Sequence, residues 1–154
     1  MTEALLERGA HVVVLDDLSI GRASNLDVAL QHPACELAVG SVLDTALVDR
    51  MVRDAGAVVH LAAAVGVKLV LERRLDALKT NVVGTSNVLE AVARHGGRVL
   101  LASTSEVYGK NPASPLRETA DVVVGPPVVA RWSYALGKSV DEVLANACFE
   151  ELGV

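Results

Sequence analysis

Short apolar runs separated by stretches of helical period set the frame for this chain. The first run, His11-Val-Val-Val-Leu15, ends in Asp16-Asp17 and contains no alternation of polar with apolar residues. Such a run reads as a strand covered on both faces. Cys35–Val39, Ala57–Leu61 and Arg98–Ser103 are three further strand candidates. Between them lie helical patterns: residues 2–8, closed by Gly9 at a C-cap position, Asp44–Arg53, and a long stretch over 71–94. In that long stretch Leu71, Leu75, Leu78, Val82, Leu89 and Val92 recur at three-, four- and seven-residue intervals, and Gly96-Gly97 ends it. Residues 110–130 hold four prolines and read as a loop, and a last helix is expected from about Ser133 to the C-terminus.

Strand and helix alternate, so the expected fold is α/β, a doubly wound parallel sheet with right-handed crossovers. The 154 residues form one domain, or part of one, with no repeat, low-complexity stretch or linker. The chain opens on a helix, whereas a βαβ unit begins with a strand and a tight turn. In a dinucleotide fold that turn carries a glycine fingerprint. None of the 12 glycines is separated from another by one, two or three residues, so no such fingerprint exists here. The expectation is a Rossmann-type sheet lacking its first strand and glycine-rich loop.

Composition excludes several classes. A formal charge of −5 argues against nucleic acid, which needs clustered Lys and Arg. The apolar stretch Ala57–Val70 is interrupted by His60 and Lys68 and is too short to span a bilayer. The N-terminus has no secretory h-region. Cys35 and Cys148 make neither a disulfide framework nor a metal site. A soluble, cytoplasmic protein is expected, with His60 a packed core histidine and Trp132 a packing residue.

Three groups of residues carry chemistry. Tyr134 and Lys138 stand at i and i+4 on one face of the last helix. An ammonium so placed is expected to lower the tyrosine pKa from about 10, letting the phenol exchange a proton with a substrate hydroxyl while a hydride moves. A surface helix shows the same spacing by chance. Leu136, Val140, Val143, Leu144 and Ala147 form an apolar stripe opposite the pair, expected to face a neighbouring helix of this chain or of a second subunit. Leu101-Ala-Ser-Thr-Ser-Glu-Val-Tyr-Gly109 sets hydroxyls beyond a strand's carboxyl end, where ligands of open α/β sheets lie. A Ser/Thr turn satisfying its own backbone has the same composition. Asp16 and Asp17 end the first strand, where a carboxylate accepts from ribose hydroxyls and repels a 2′-phosphate, favouring NAD over NADP. An aspartate that merely caps or turns the chain is the other reading.

Together Val13-Val-Leu-Asp-Asp-Leu-Ser19, His60-Leu-Ala-Ala63, Thr80-Asn-Val-Val-Gly-Thr85, Ser103-Thr-Ser-Glu-Val-Tyr-Gly109 and Tyr134-xxx-Lys138 resemble the extended short-chain dehydrogenase/reductases. The likeness is strongest to their nucleotide-sugar branch of 4-epimerases, dehydratases and decarboxylases. The resemblance implies Tyr134 as catalytic base, Lys138 as its partner on the nicotinamide ribose, and Thr104 as the hydroxyl that bonds the reacting sugar. Glu106 matches an acid used by dehydratases and decarboxylases. For NAD it implies Asp16 and Asp17 at the adenosine ribose, Ser41 and Val42 beside the adenine, and Leu61, Ala62, Ala63, Asn81 and Ser103 along the cofactor. The implied activity is NAD-dependent conversion of a nucleotide sugar, foremost UDP-sugar 4-epimerisation. UDP-glucuronate decarboxylation and dTDP-glucose 4,6-dehydration are the alternatives, and a homodimer is implied for a full-length form. Ser41 and Gly137 depart from the family's usual Asp and Ser, and the chain ends soon after the catalytic helix. A catalytically inactive truncated fragment and an NAD-sensing module remain the readings from other classes.

Overall fold

The computed structural model describes residues 1–66 and 72–154. It opens on helix α1 (Thr2–Leu6), followed by β1 (Val12–Asp16) and, after two short 3-10 turns, β2 (Cys35–Val39). Next come α2 (Thr45–Val52) and β3 (Ala57–His60). The long helical pattern is built as α3 (Arg74–Leu78), a π turn (Lys79–Val83) and α4 (Gly84–His95). β4 (Arg98–Leu101), a 3-10 turn (Ser105–Tyr108) and α5 (Trp132–Leu152) complete the chain.

Local chemistry explains the boundaries. Asp44 caps α2, its Oδ1 accepting from the Leu47 N–H at 3.0 Å. Gly96, at φ 81° and ψ 173°, takes a positive-φ backbone conformation that stops α4. The expected helix over 71–94 differs in one respect: its middle widens into a π turn, and Leu71 lies outside the described residues. The first strand and the last one each end a residue or two from their expected limits, where element ends fray.

The strands are parallel, as expected, but they form two pairs. β1 runs beside β2 with Val12 opposite Cys35, and β3 beside β4 with Ala57 opposite Arg98. Among the described residues no ladder joins β1 to β3, so each of these strands is hydrogen-bonded on one side only. A sheet covered on both faces is therefore corrected: Val13 and Leu100 are 43% and 64% exposed. The main core lies where α2 packs on α4, with Val48, Val52, Val88, Ala91 and Val92 against Val58 and Val99 of the second strand pair. A smaller cluster of Leu6, Ala29 and Cys35 seats α1 beside β1.

Two glycines are required by close approach. A Cβ at Gly84 would stand 2.6 Å from Val42 Cγ2, so the first turn of α4 lies directly on the segment after β2. Gly109, at φ 60°, has the Val123 carbonyl where a Cβ would go, which ties the turn after β4 to the proline-rich loop. Among the described residues no helix is long and apolar enough to cross a membrane.

Candidate cofactor cleft and Tyr–Lys pair

The carboxyl ends of β1 and β3 open into a cleft of about 290 Å³. Its lining includes Asp16, Asp17, Val42, Leu61, Ala62 and Ala63, six positions expected along a cofactor. A volume near 300 Å³ is at the small end of ligand pockets. Asp16 is half-buried and its Oδ1 accepts from the Leu18 N–H at 2.7 Å; exposed Asp17 makes the equivalent turn with Ser19 at 2.9 Å. Each carboxylate thus has one oxygen committed to its own turn and a second able to accept from a ligand hydroxyl. Gly21 faces the Asp16 carboxylate, and a Cβ there would sit 3.4 Å from Oδ2.

Ser41 stands beside the cleft without lining it; its Oγ accepts from Leu43 N–H at 3.2 Å. Asn81, buried in the π turn, lies behind the cleft, and its Oδ1 accepts from the Ala64 N–H at 2.7 Å. That bond holds the segment after β3 from beneath, so Asn81 acts on the cleft wall. Residues not singled out from the sequence also line the cleft, among them Arg73, Asp76 and Thr80. Arg73 and Asp76 pair at 2.8 Å on its rim, an i, i+3 spacing that was readable but carried no marker of function.

Tyr134 is half-buried near the start of α5 and packs against Ala64 and Ala77, the former being the end of the cleft wall. Together with Ala77, Leu78, Asn81 and Ser133 it borders a shallow hollow. Thr104 ends its extended segment by capping the 3-10 turn, its Oγ1 accepting from Glu106 N–H at 3.3 Å. Ser103 bonds Glu142 of α5. Glu106, exposed on the turn, reaches Tyr134 electrostatically. The expected lowering of the Tyr134 pKa is corrected: burial, Glu106 and Asp141 together hold it above the ordinary value. Lys138, expected to lower it, lies one turn on with Nζ 3.1 Å from Asp141 Oδ2 and shares its charge with that carboxylate.

The two faces of α5 are also assigned. Ala135, Gly137, Lys138 and Asp141 are buried, so the polar pair turns inward, while Val140 and Val143 of the apolar stripe are 44% and 66% exposed. Gly137 faces α3, where a Cβ would stand at an ordinary contact distance of 3.4 Å from Leu78 Cδ2. His60, expected as a core histidine, is buried at the end of β3 with Nε2 3.1 Å from Thr85 Oγ1.

The family model described as GDP-mannose 4,6 dehydratase matches residues 1–154. The chain belongs to that family, a branch of the nucleotide-sugar epimerases and dehydratases. Among members of the family, a UDP-N-acetyl-alpha-D-glucosaminuronate decarboxylase of Bacillus cytotoxicus is 34% identical over 145 residues, covering 94% of this chain and 44% of the relative. A dTDP-glucose 4,6-dehydratase of Mycobacterium tuberculosis is 37% identical over 144 residues, 93% of this chain and 42% of the relative. A dTDP-glucose 4,6-dehydratase from Streptomyces venezuelae, solved with NAD bound, superposes with a TM-score of 0.86 at 27% identity. That match covers 99% of this family member and 48% of the solved chain. The Rossmann-type fold is shared, and the chain spans less than half the length of the relatives it matches.

Proposed function

We propose that this chain carries the NAD-binding and proton-transfer part of a nucleotide-sugar epimerase, dehydratase or decarboxylase. The observation that carries the reading is the cleft at the ends of β1 and β3, which gathers Asp16, Asp17, Val42 and Leu61–Ala63 around one space. The residues present fit the adenosine end of a dinucleotide: carboxylates for ribose hydroxyls and a wall of alanines that a flat ring can approach. The ribose-binding carboxylates favour NAD over NADP.

NAD+, when bound, supplies the hydride acceptor for a C–H bond of the sugar. Tyr134 takes the proton of the adjacent hydroxyl at its Oη as the ketone forms, and returns it when the ketone is reduced. Thr104 holds that hydroxyl, and Lys138 orients the nicotinamide ribose. The finer reading made from the sequence is UDP-sugar 4-epimerisation. Glu106, facing Tyr134 from the 3-10 turn, favours the second reading, in which an acid assists loss of a neighbouring group before the hydride returns. A homodimer through the uncovered stripe of α5 accompanies both.

Calorimetric titration of the purified chain with NAD and NADP, with circular dichroism on the same sample, tests the binding part. Saturable NAD binding weakened by Asp16→Ala is expected; a folded chain that binds neither nucleotide would overturn it. A panel of UDP- and dTDP-sugars then separates the reactions by product, and Tyr134→Phe is expected to abolish turnover while keeping NAD bound.

A further inference from the structure

Behind Tyr134, polar groups from three elements meet out of reach of solvent. His60 at the end of β3 lies 3.1 Å from Thr85 of α4. The Thr85 hydroxyl is within bonding reach of Asp141 on α5, and Lys138 Nζ is 3.1 Å from Asp141 Oδ2. All four side chains are buried, Asp141 and Thr85 at 0% exposure. A buried ion pair loses hydration that its attraction offsets only when hydrogen bonds complete it. Here neither Asp141 oxygen receives a well-directed hydrogen bond among the described residues. Stability is thus a poor account of the pair, because apolar residues of similar volume would pack as well.

We propose that Asp141 is a positioning residue for the Tyr134–Lys138 pair, its buried carboxylate fixing where the Lys138 ammonium sits and cancelling its charge. The proposal rests on reading Tyr134 and Lys138 as the proton-transfer pair. Tyr134, Lys138 and Asp141 stand at i, i+4 and i+7, one strip of a helix face, so phenol, ammonium and carboxylate follow one another along α5. The other groups facing this strip are Glu142 from α5 itself, Thr85 from α4, His60 from β3 and Glu106 from the turn after β4. Lys138 is the one cation among them at neutral pH, because burial and the Lys138 charge hold the His60 pKa at about 4. With His60 neutral, the tautomer protonated on Nε2 donates to Thr85 Oγ1 and leaves the Thr85 O–H to donate toward Asp141. Thr85 thus stands between Asp141 and the strand whose end walls the cofactor cleft. Neutralised by Asp141, Lys138 stabilises the Tyr134 phenolate less, so the phenol holds its proton more tightly and acts as a base only once that proton has been shed.

The test needs neither NAD nor sugar. The chain has two tyrosines, so in a Tyr108→Phe background the ultraviolet absorbance of phenolate reports Tyr134 alone. The titration is read over the pH range in which circular dichroism stays native. Asp141→Asn, which keeps shape and removes charge, is expected to move the Tyr134 midpoint to lower pH, and Asp141→Glu to restore part of it. With Lys138→Met in place, adding Asp141→Asn is expected to move the midpoint by clearly less, the remainder being the direct effect of the Asp141 charge on the phenolate. A folded Asp141→Asn chain with an unmoved midpoint, or one moved equally in the Lys138→Met background, would overturn the proposal. Should Asp141→Asn not fold, Thr85→Val takes its place: a smaller shift in the same direction supports the proposal and no shift overturns it. Failure to bind NAD would sink the functional reading and leave this result standing.

Discussion

The backbone N–H of Ala64 donates to Oδ1 of Asn81 across 2.7 Å, joining the wall of the cleft to the widened turn between α3 and α4. Asn81 is buried, and its carbonyl is the acceptor that the segment after β3 has in place of a ladder partner. Asn81→Leu leaves the Ala64 N–H buried and unpaired, a change that costs about 1–3 kcal/mol. A fall of that size in urea stability is expected, with Asn81→Asp, which keeps an acceptor oxygen, losing less. Because the alanines of the wall are freed at the same time, NAD affinity should fall along with stability in Asn81→Leu.

Two helical glycines answer differently to the same substitution. At Gly84 an added methyl meets Val42 Cγ2 at 2.6 Å within the main core, so Gly84→Ala should destabilise by about 1–3 kcal/mol through overpacking. At Gly137 the nearest atom, Leu78 Cδ2, is 3.4 Å away, ordinary contact distance. There Gly137→Ala should gain up to about 1 kcal/mol from helix propensity. Opposite shifts of the thermal midpoint in the two variants check both; a loss at Gly137 would mean that an added methyl does not fit beside Leu78.

The ribose-binding role proposed for the two aspartates predicts an asymmetry. Asp16 is half-buried and shapes its turn through Leu18, whereas Asp17 is exposed. Asp16→Asn should weaken NAD binding and narrow the preference over NADP, because the charge that repels a 2′-phosphate is gone. Asp17→Asn should do less. Calorimetry with both nucleotides measures it, and equal effects at the two positions would contradict the arrangement.

His60 couples the core to acid. Its folded pKa is about 4 against 6.5 for the free side chain, so the unfolded chain binds this proton first as pH falls. The stability it contributes is complete above about pH 6.5 and is lost as pH falls toward 4, about 3 kcal/mol in all. Denaturant midpoints should drop between these pH values, and His60→Gln should flatten that part of the profile relative to the parent chain.

The parts of this protein readable from its sequence are those written in local chemistry. Val12–Val14 and Val58–Val59 announce strands, Asp44 announces a helix start, and Gly96 announces a stop. The residues that line the cleft at the ends of β1 and β3 follow from the same strands. What escaped notice depends on groups that meet only after folding. The spacing of Leu75, Leu78, Val82 and Leu89 fits an unbroken helix, so the π turn that buries Asn81 leaves no periodic mark. The position three residues beyond Lys138 is plainly acidic, yet its burial is decided by Thr85 and His60 arriving from other elements. For the same reason Tyr134 is harder to ionise than its i+4 lysine suggests.

The π turn over Lys79–Val83 also sets a phase. It accommodates one residue more than a regular turn, and one residue of an α-helix corresponds to a rotation of about 100°. Deleting a single residue there would let α3 and α4 merge into one regular helix. Val88 and Val92 would stay anchored in the core, so α3 would do the turning, carrying Arg73, Asp76 and Ala77 away from the cleft they line. The helix thus works like a dial with one setting, and a deletion that removes no cleft residue would still dismantle the cleft wall.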